Sequence, residues 1–177
     1  MTIAEFRAFC DLPENKGRLF ELIDGEIIEK MGGFTPSNMA GWLVTFINNY
    51  LMKNPIGFTT VTDGSYILSD DHAPMPDVGY ISKVRMPQRP AREVEGAPDL
   101  AIDVKSPNDS KRELRKKAET YLRFGTKMVW LVFPEAQTIE VYLPGKDVIE
   151  LGIADTLDGG DVLPSFTIAV KDIFPTE

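Results

Sequence analysis

Three short stretches place carboxylates where a strand would otherwise bury apolar side chains. In Asp99-Leu100-Ala101-Ile102-Asp103-Val104-Lys105, strand alternation turns Leu100, Ile102 and Val104 to one face and Ala101, Asp103 and Lys105 to the other. The first face is core. The second sets a carboxylate and an ammonium side by side at the end of the strand. Burying such a pair costs on the order of several kcal/mol unless something offsets it. A metal ion on Asp103 or an exposed cleft would do so, and a salt bridge at a sheet rim is the plainer alternative. In Met75-Pro76-Asp77-Val78-Gly79-Tyr80 a carboxylate heads an apolar strand, although a turn aspartate after proline is common. In Phe20-Glu21-Leu22-Ile23-Asp24, Glu21 shares a face with Ile23, opposite Leu22. An exposed strand face would also accommodate it.

Composition narrows the chemistry to carboxylates and lysines. The chain has 177 residues with one cysteine, Cys10, and one histidine, His72. These counts exclude an intramolecular disulfide framework, a cysteine-based zinc site and a histidine-rich metal site. With 43 % hydrophobic and 26 % charged residues, the chain is an ordinary globular one rather than a disordered one. No apolar run reaches the roughly 18 residues of a membrane span. The opening MTIAEFRAFC has no basic segment followed by an apolar one, so no secretory signal is expected and the expected compartment is the cytoplasm. The formal net charge of −8 speaks against a polyanion partner when taken as an average. It is unevenly spread. Residues 83–131 hold twelve Lys and Arg against seven Asp and Glu, and the remainder holds seven against twenty. Asp103 and Lys105 lie inside the positive stretch.

The elements that must position these residues follow from local signals. Thr2 with Glu5 is a capping box that opens a short helix, and Asp24-Gly25 centres a hairpin over 19–31. From Pro36-Ser37 to Asn54, Met39, Trp42, Leu43, Phe46, Ile47, Tyr50 and Leu51 recur at helical spacing. Residues 57–69 read as extended, 70–74 as a loop, 76–81 as a short strand and 85–97 as a charged surface loop. Asp99 to Lys105 is a strand. Ser110 with Glu113 opens a helix that Gly125 ends. Met128 to Phe133 is a continuous apolar run, as in a strand buried on both faces. Further strands are expected at 138–143, 147–152 and 165–170. With no internal repeat and no linker, residues 1–177 are expected to form one mixed α/β domain, a central sheet flanked by helices.

Pro76-Asp77 followed by Asp103-Val104-Lys105 resembles the signature of the PD-(D/E)XK nuclease superfamily. The segments FELIDGE, MPDVGYIS, APDLAIDVKSP and KKAETYLRFGTKMVWLVFP, in that order, resemble the Uma-type family of restriction endonucleases from about Glu5 to Phe174. The resemblance implies a restriction-endonuclease-like fold and Mg²⁺-dependent cleavage of phosphodiester bonds, with Mn²⁺ as substitute. It implies that Asp77 and Asp103 are metal ligands, that Glu21 is a further ligand or base, and that Lys105 orients the attacking water or stabilises the developing oxyanion. The chain departs from the pattern at two points. Many relatives carry Glu where it has Asp103, and an apolar residue where it has Lys105. Relatives without that lysine carry one in the following helix, and Lys117 matches it.

Asp99, of the second Pro-Asp pair, competes with Asp77. It stands four residues from Asp103 on the same strand, about 13 Å at 3.3 Å per residue. Lys111, Arg112, Arg115 and Lys116 are candidate phosphate contacts or a solvated helix face. His72 in its loop is not expected to act as a base. The expected partner is nucleic acid, DNA before RNA, with a homodimer cutting two strands and no membrane. The alternative is a catalytically inactive domain of the same fold that acts in binding or assembly.

Overall fold

The computed structural model describes residues 1–174. The first capping box forms: Thr2 accepts from the Glu5 amide, and Glu5 accepts from the Thr2 amide, opening α1 (Ile3–Cys10). The hairpin follows as β1 (Phe20–Ile23) and β2 (Glu26–Glu29), with Asp24 and Gly25 both at positive φ in the turn. Helix α2 (Phe34–Lys53) begins two residues before the expected start, with extended Gly33 as its N-cap. The stretch expected to be continuously extended from 57 to 69 is broken. Strand β3 (Gly57–Val61) and the two-residue β4 (Tyr66–Ile67) are separated by a turn in which a Cβ on Gly64 would run into Thr60.

Strand β5 (Val78–Ser82) is antiparallel to β3. The charged loop expected over 85–97 contains one short strand, β6 (Val94–Glu95), paired in parallel with β4. Strand β7 (Leu100–Val104), helix α3 (Lys111–Arg123) and strand β8 (Met128–Phe133) form one crossover unit. Its two strands are parallel because the helix carries the chain back across the sheet. Strands β9 (Thr138–Tyr142) and β10 (Ile149–Leu151) complete the sheet. The chain then forms a hairpin of β11 (Thr156–Asp158) and β12 (Thr167–Ala169) and a short helix α4 (Val170–Ile173), of which only β12 was expected from the sequence.

The central sheet has the order β10-β9-β8-β7-β5-β3 and is antiparallel except at β7–β8. Its two faces bury different sets of side chains. Leu100, Ile102 and Val104 join Trp130 and Val132 against Met39, Leu43 and Ile47 of α2. Ala101 joins Val129, Leu131 and Phe133 against Leu114, Ala118 and Tyr121 of α3. This is the alternation expected for Asp99–Lys105, so Asp103 is directed to the α3 side. A separate apolar cluster of Ile3, Phe6, Phe20, Leu22 and Ala73 seats α1 and the β1–β2 hairpin beside the sheet. Among the described residues no helix is long and apolar enough to cross a membrane.

A buried ion pair fixes the side of α3 that faces away from the carboxylates. Glu140 on β9 is only 3 % exposed. It accepts from the Arg115 guanidinium of α3 and, at 2.7 Å, from the Tyr142 hydroxyl. Burial would raise the Glu140 carboxyl above its ordinary range, but the Arg115 and Tyr142 bonds hold it below. Arg115 is therefore a structural clamp rather than a free phosphate contact. A carboxylate with a lowered folded pKa stabilises the protein above its unfolded pKa and loses that contribution as pH falls. Arg115→Met is expected to cost about 1–3 kcal/mol in urea unfolding at pH 7, because it leaves Glu140 buried without its cation. Repeating the titration near pH 4 and below should shrink the difference toward zero, since Glu140 then takes up a proton in both proteins.

Candidate active site

The β5–β7 register brings two of the expected carboxylates together. Val78 pairs with Ile102, so one step further along the same antiparallel ladder Asp77 comes opposite Asp103. Asp77 Oδ2 accepts from the Val104 amide at 2.8 Å, which stitches the head of β5 to the end of β7. The β1–β2 hairpin supplies the third carboxylate. Leu22 bridges to Ala73, and Glu21 Oε1 accepts from the Met75 amide at 2.6 Å, two residues before Asp77. Helix α3 closes the set from above: the Lys117 ammonium lies 2.9 Å from Glu21 Oε1 and 3.1 Å from Asp103 Oδ1.

Sequence reasoning missed Lys30. Its ammonium lies 2.8 Å from Asp77 Oδ1 and donates to the Met75 carbonyl at 2.7 Å. A signal for it was present. Alternation along β2 places Lys30 on the same face as Glu26 and Ile28, and the hairpin register sets Ile28 opposite Glu21. All these side chains line one cleft of about 580 Å³ between the hairpin, the start of α2, the β7–α3 loop and α3.

The electrostatics single out Asp103. Oδ1 faces Lys117, while Oδ2 is buried with no hydrogen-bond partner. Burial pushes this carboxyl above its ordinary range. Lys117 pulls it back, and the neighbouring Asp77 and Glu21 push it further up. Burial works against the charge on Lys117, yet Asp103 and Glu21 outweigh it and raise the ammonium well above the ordinary lysine value. Lys117 therefore keeps its proton at neutral pH and is a cation rather than a base. Tyr121, one turn along α3, leaves its hydroxyl buried and unpartnered in the same cleft, and burial drives its pKa up.

Other expected residues lie elsewhere. Lys105 leaves the cleft: its ammonium donates to the Ser106 carbonyl at 3.0 Å, and its side chain lies in a small hollow with Lys111 and Phe133. The expectation that it shares the Asp103 face holds for a strand, but β7 ends at Val104. Asp99 sits at the opposite end of β7, bonded to the Ser82 amide and paired with Arg85 and Lys127. His72 is buried between Asp71 and Asp24 in the hairpin turn, and Lys116 is paired with Asp24.

The donor set tests whether a metal ion fits. The free Asp103 Oδ2 and the adjacent Asp77 carboxylate are hard oxygen donors, as Mg²⁺ requires. Among the described residues no group of three or more His, Cys, Asp and Glu is gathered closely enough to hold a metal. Two carboxylates with water and a phosphate oxygen remain a workable arrangement for a cation that uses few protein ligands.

With this geometry in hand, comparison with known proteins is informative. No curated protein matches the sequence. A crystal structure described as a "putative nuclease belonging to DUF820" from Anabaena variabilis superposes with a TM-score of 0.84 at 26 % identity, covering 98 % of this chain and 97 % of that one. Residues 3–171 match the model of the Uma2 family, described as "Putative restriction endonuclease". The fold is thus nuclease-like, the family supports a nuclease function, and the chain belongs to the Uma2 family.

Proposed function

We propose that the chain is a divalent-cation-dependent endonuclease that hydrolyses phosphodiester bonds in DNA. Asp77 and Asp103 would hold Mg²⁺ or Mn²⁺, with Glu21 as a further ligand or as the group that positions Lys117. The observation that carries this reading is Asp103, a buried carboxylate with one oxygen on Lys117 and the other unpartnered, beside a second carboxylate. The chemistry a divalent cation supplies at such a pair is polarisation of the phosphate and activation of the attacking water.

The chain's own residues do the rest. Lys117, held protonated, is the cation available to a non-bridging phosphate oxygen as negative charge develops there. It takes the part that the resemblance implied for Lys105. Glu21 and Asp103 fix its ammonium from two elements, so little reorganisation is required when substrate enters. Lys30 neutralises Asp77 in the geometry seen here and must yield that carboxylate when a cation binds.

The cleft also explains how an acidic protein would accept a polyanion. Eight carboxylates line it against three lysines, Lys30, Lys116 and Lys117. Phosphate approaching that wall is repelled until a cation neutralises part of it. A non-catalytic binding domain is the second reading, favoured by one observation: each of those three lysines is already ion-paired within the chain.

Two measurements test the proposal. Plasmid incubated with pure protein and Mg²⁺ or Mn²⁺ should be cut, and Asp103→Asn or Lys117→Ala should lower the rate by about 10²–10³-fold, the loss typical of a transition-state charge contact. Lys105→Ala should stay within a few-fold of the parent. Folding of each variant is checked by thermal melting. Separately, fluorescence anisotropy of labelled DNA should show binding that depends on divalent cation itself, present with Ca²⁺ and lost in chelator. Calorimetry that finds no Mn²⁺ binding, or Mn²⁺ binding that survives Asp103→Asn, would refute the assignment in favour of the non-catalytic reading.

A further inference from the structure

The outward face of α2 is the least charged surface of an acidic chain. The helix runs 20 residues, about 30 Å, and its only charged side chain is Lys53. Its inner face is accounted for by Met39, Ala40, Leu43, Ile47 and Leu51 in the core. Along the opposite side, at intervals of seven, four, three and four residues, run Phe34, Gly41, Thr45, Asn48 and Met52. Phe34 is 86 % exposed and Met52 75 % exposed, one near each end of the helix. Two large apolar side chains left in water forgo about 1.5–3 kcal/mol of burial each.

Three details point to a partner. Gly41 sits mid-helix, where glycine costs helix stability relative to alanine, and a Cβ there would meet nothing within 4 Å. No contact inside the chain demands it, whereas close approach of a second backbone would. The polar groups of the stripe are already satisfied. Thr45 donates to the Gly41 carbonyl at 2.7 Å, and Asn48 accepts from Thr59 at 2.7 Å. Covering them therefore strips little needed hydration. The arrangement is also self-complementary. In an antiparallel pair of α2 helices crossing near Leu43, Phe34 of each copy meets Met52 of the other, and Gly41 meets Thr45.

We propose that the Phe34–Gly41–Thr45–Asn48–Met52 stripe is the seam of an isologous homodimer, with a second copy of this chain as its occupant. Charge selects that occupant. Two chains of net charge −8 repel wherever carboxylates face one another, and α2 is the long element that carries none. The stripe lies outside the carboxylate cleft, so this inference does not depend on the nuclease reading.

The test is the mass of the full chain by sedimentation and light scattering over a micromolar dilution series. The parent should be dimeric. Phe34→Glu, and separately Met52→Glu, should weaken association by about a hundredfold, because the symmetric seam loses each contact twice and every tenfold is 1.4 kcal/mol. The double change Phe34→Glu with Met52→Lys should restore the dimer through two cross-pairs. As the parent is diluted, fluorescence should shift red from Trp42, which flanks the stripe and is 44 % exposed, while Trp130 is fully buried. A parent that is monomeric throughout would overturn the proposal. So would a dimer untouched by both single changes, or a double variant that stays monomeric. Phe34→Glu that lowers DNA binding without changing mass would overturn it too, assigning the face to nucleic acid instead.

Discussion

One ammonium group ties together the parts of this protein that come from different regions of the chain. Lys117 of α3 bonds Glu21 on the hairpin and Asp103 on the central sheet, all three largely buried. Neither carboxylate would stay ionised in that environment without a cation, and the lysine would not keep its charge there without the carboxylates. The hairpin, the sheet and the helix therefore hold their mutual positions around one shared charge. Lys30 repeats the device on a smaller scale by joining the end of β2 to Asp77.

That arrangement stores an imbalance. Asp103 has two oxygens and one partner, so its second oxygen is buried with nothing to accept from. A protein selected only for stability would replace the residue by an apolar one of similar size, and the neighbouring core of Ala101, Leu131 and Tyr121 would tolerate it. Retaining a strained carboxylate in a cleft is characteristic of sites that hold a cation or substrate. The Arg115–Glu140–Tyr142 cluster on the same helix is the contrasting case: it is buried, charged and fully partnered, and it serves structure.

Much of the fold was legible because its signals are local. The capping boxes at Thr2 and Ser110, the Asp24-Gly25 turn and the apolar run Met128–Phe133 each act within one turn or one strand of their own position. The misses share a cause. Strand β6 exists because Val94 finds Tyr66, and the 57–69 stretch breaks because Thr60 crowds Gly64. Both are decided by neighbours distant in the chain or by a turn without a strong sequence signature. At the site, alternation correctly placed Asp103 on the face opposite Ile102. It failed for Lys105, since alternation holds only while the chain remains a strand.

The sequence by itself determined the element types, the two faces of β7 and the small set of residue types able to do chemistry: carboxylates and lysines, with one cysteine and one histidine excluding most alternatives. Only the tertiary structure decided which lysine joins which carboxylate. Lys105 is two residues from Asp103 and turns away, whereas Lys117 is fourteen residues distant and Lys30 precedes Asp77 by forty-seven, and both reach the cleft. The reason is physical. A charge inside a protein is stabilised by whatever the packing of separate elements brings within a few ångströms, and register, crossover and hairpin docking set that distance rather than separation along the chain.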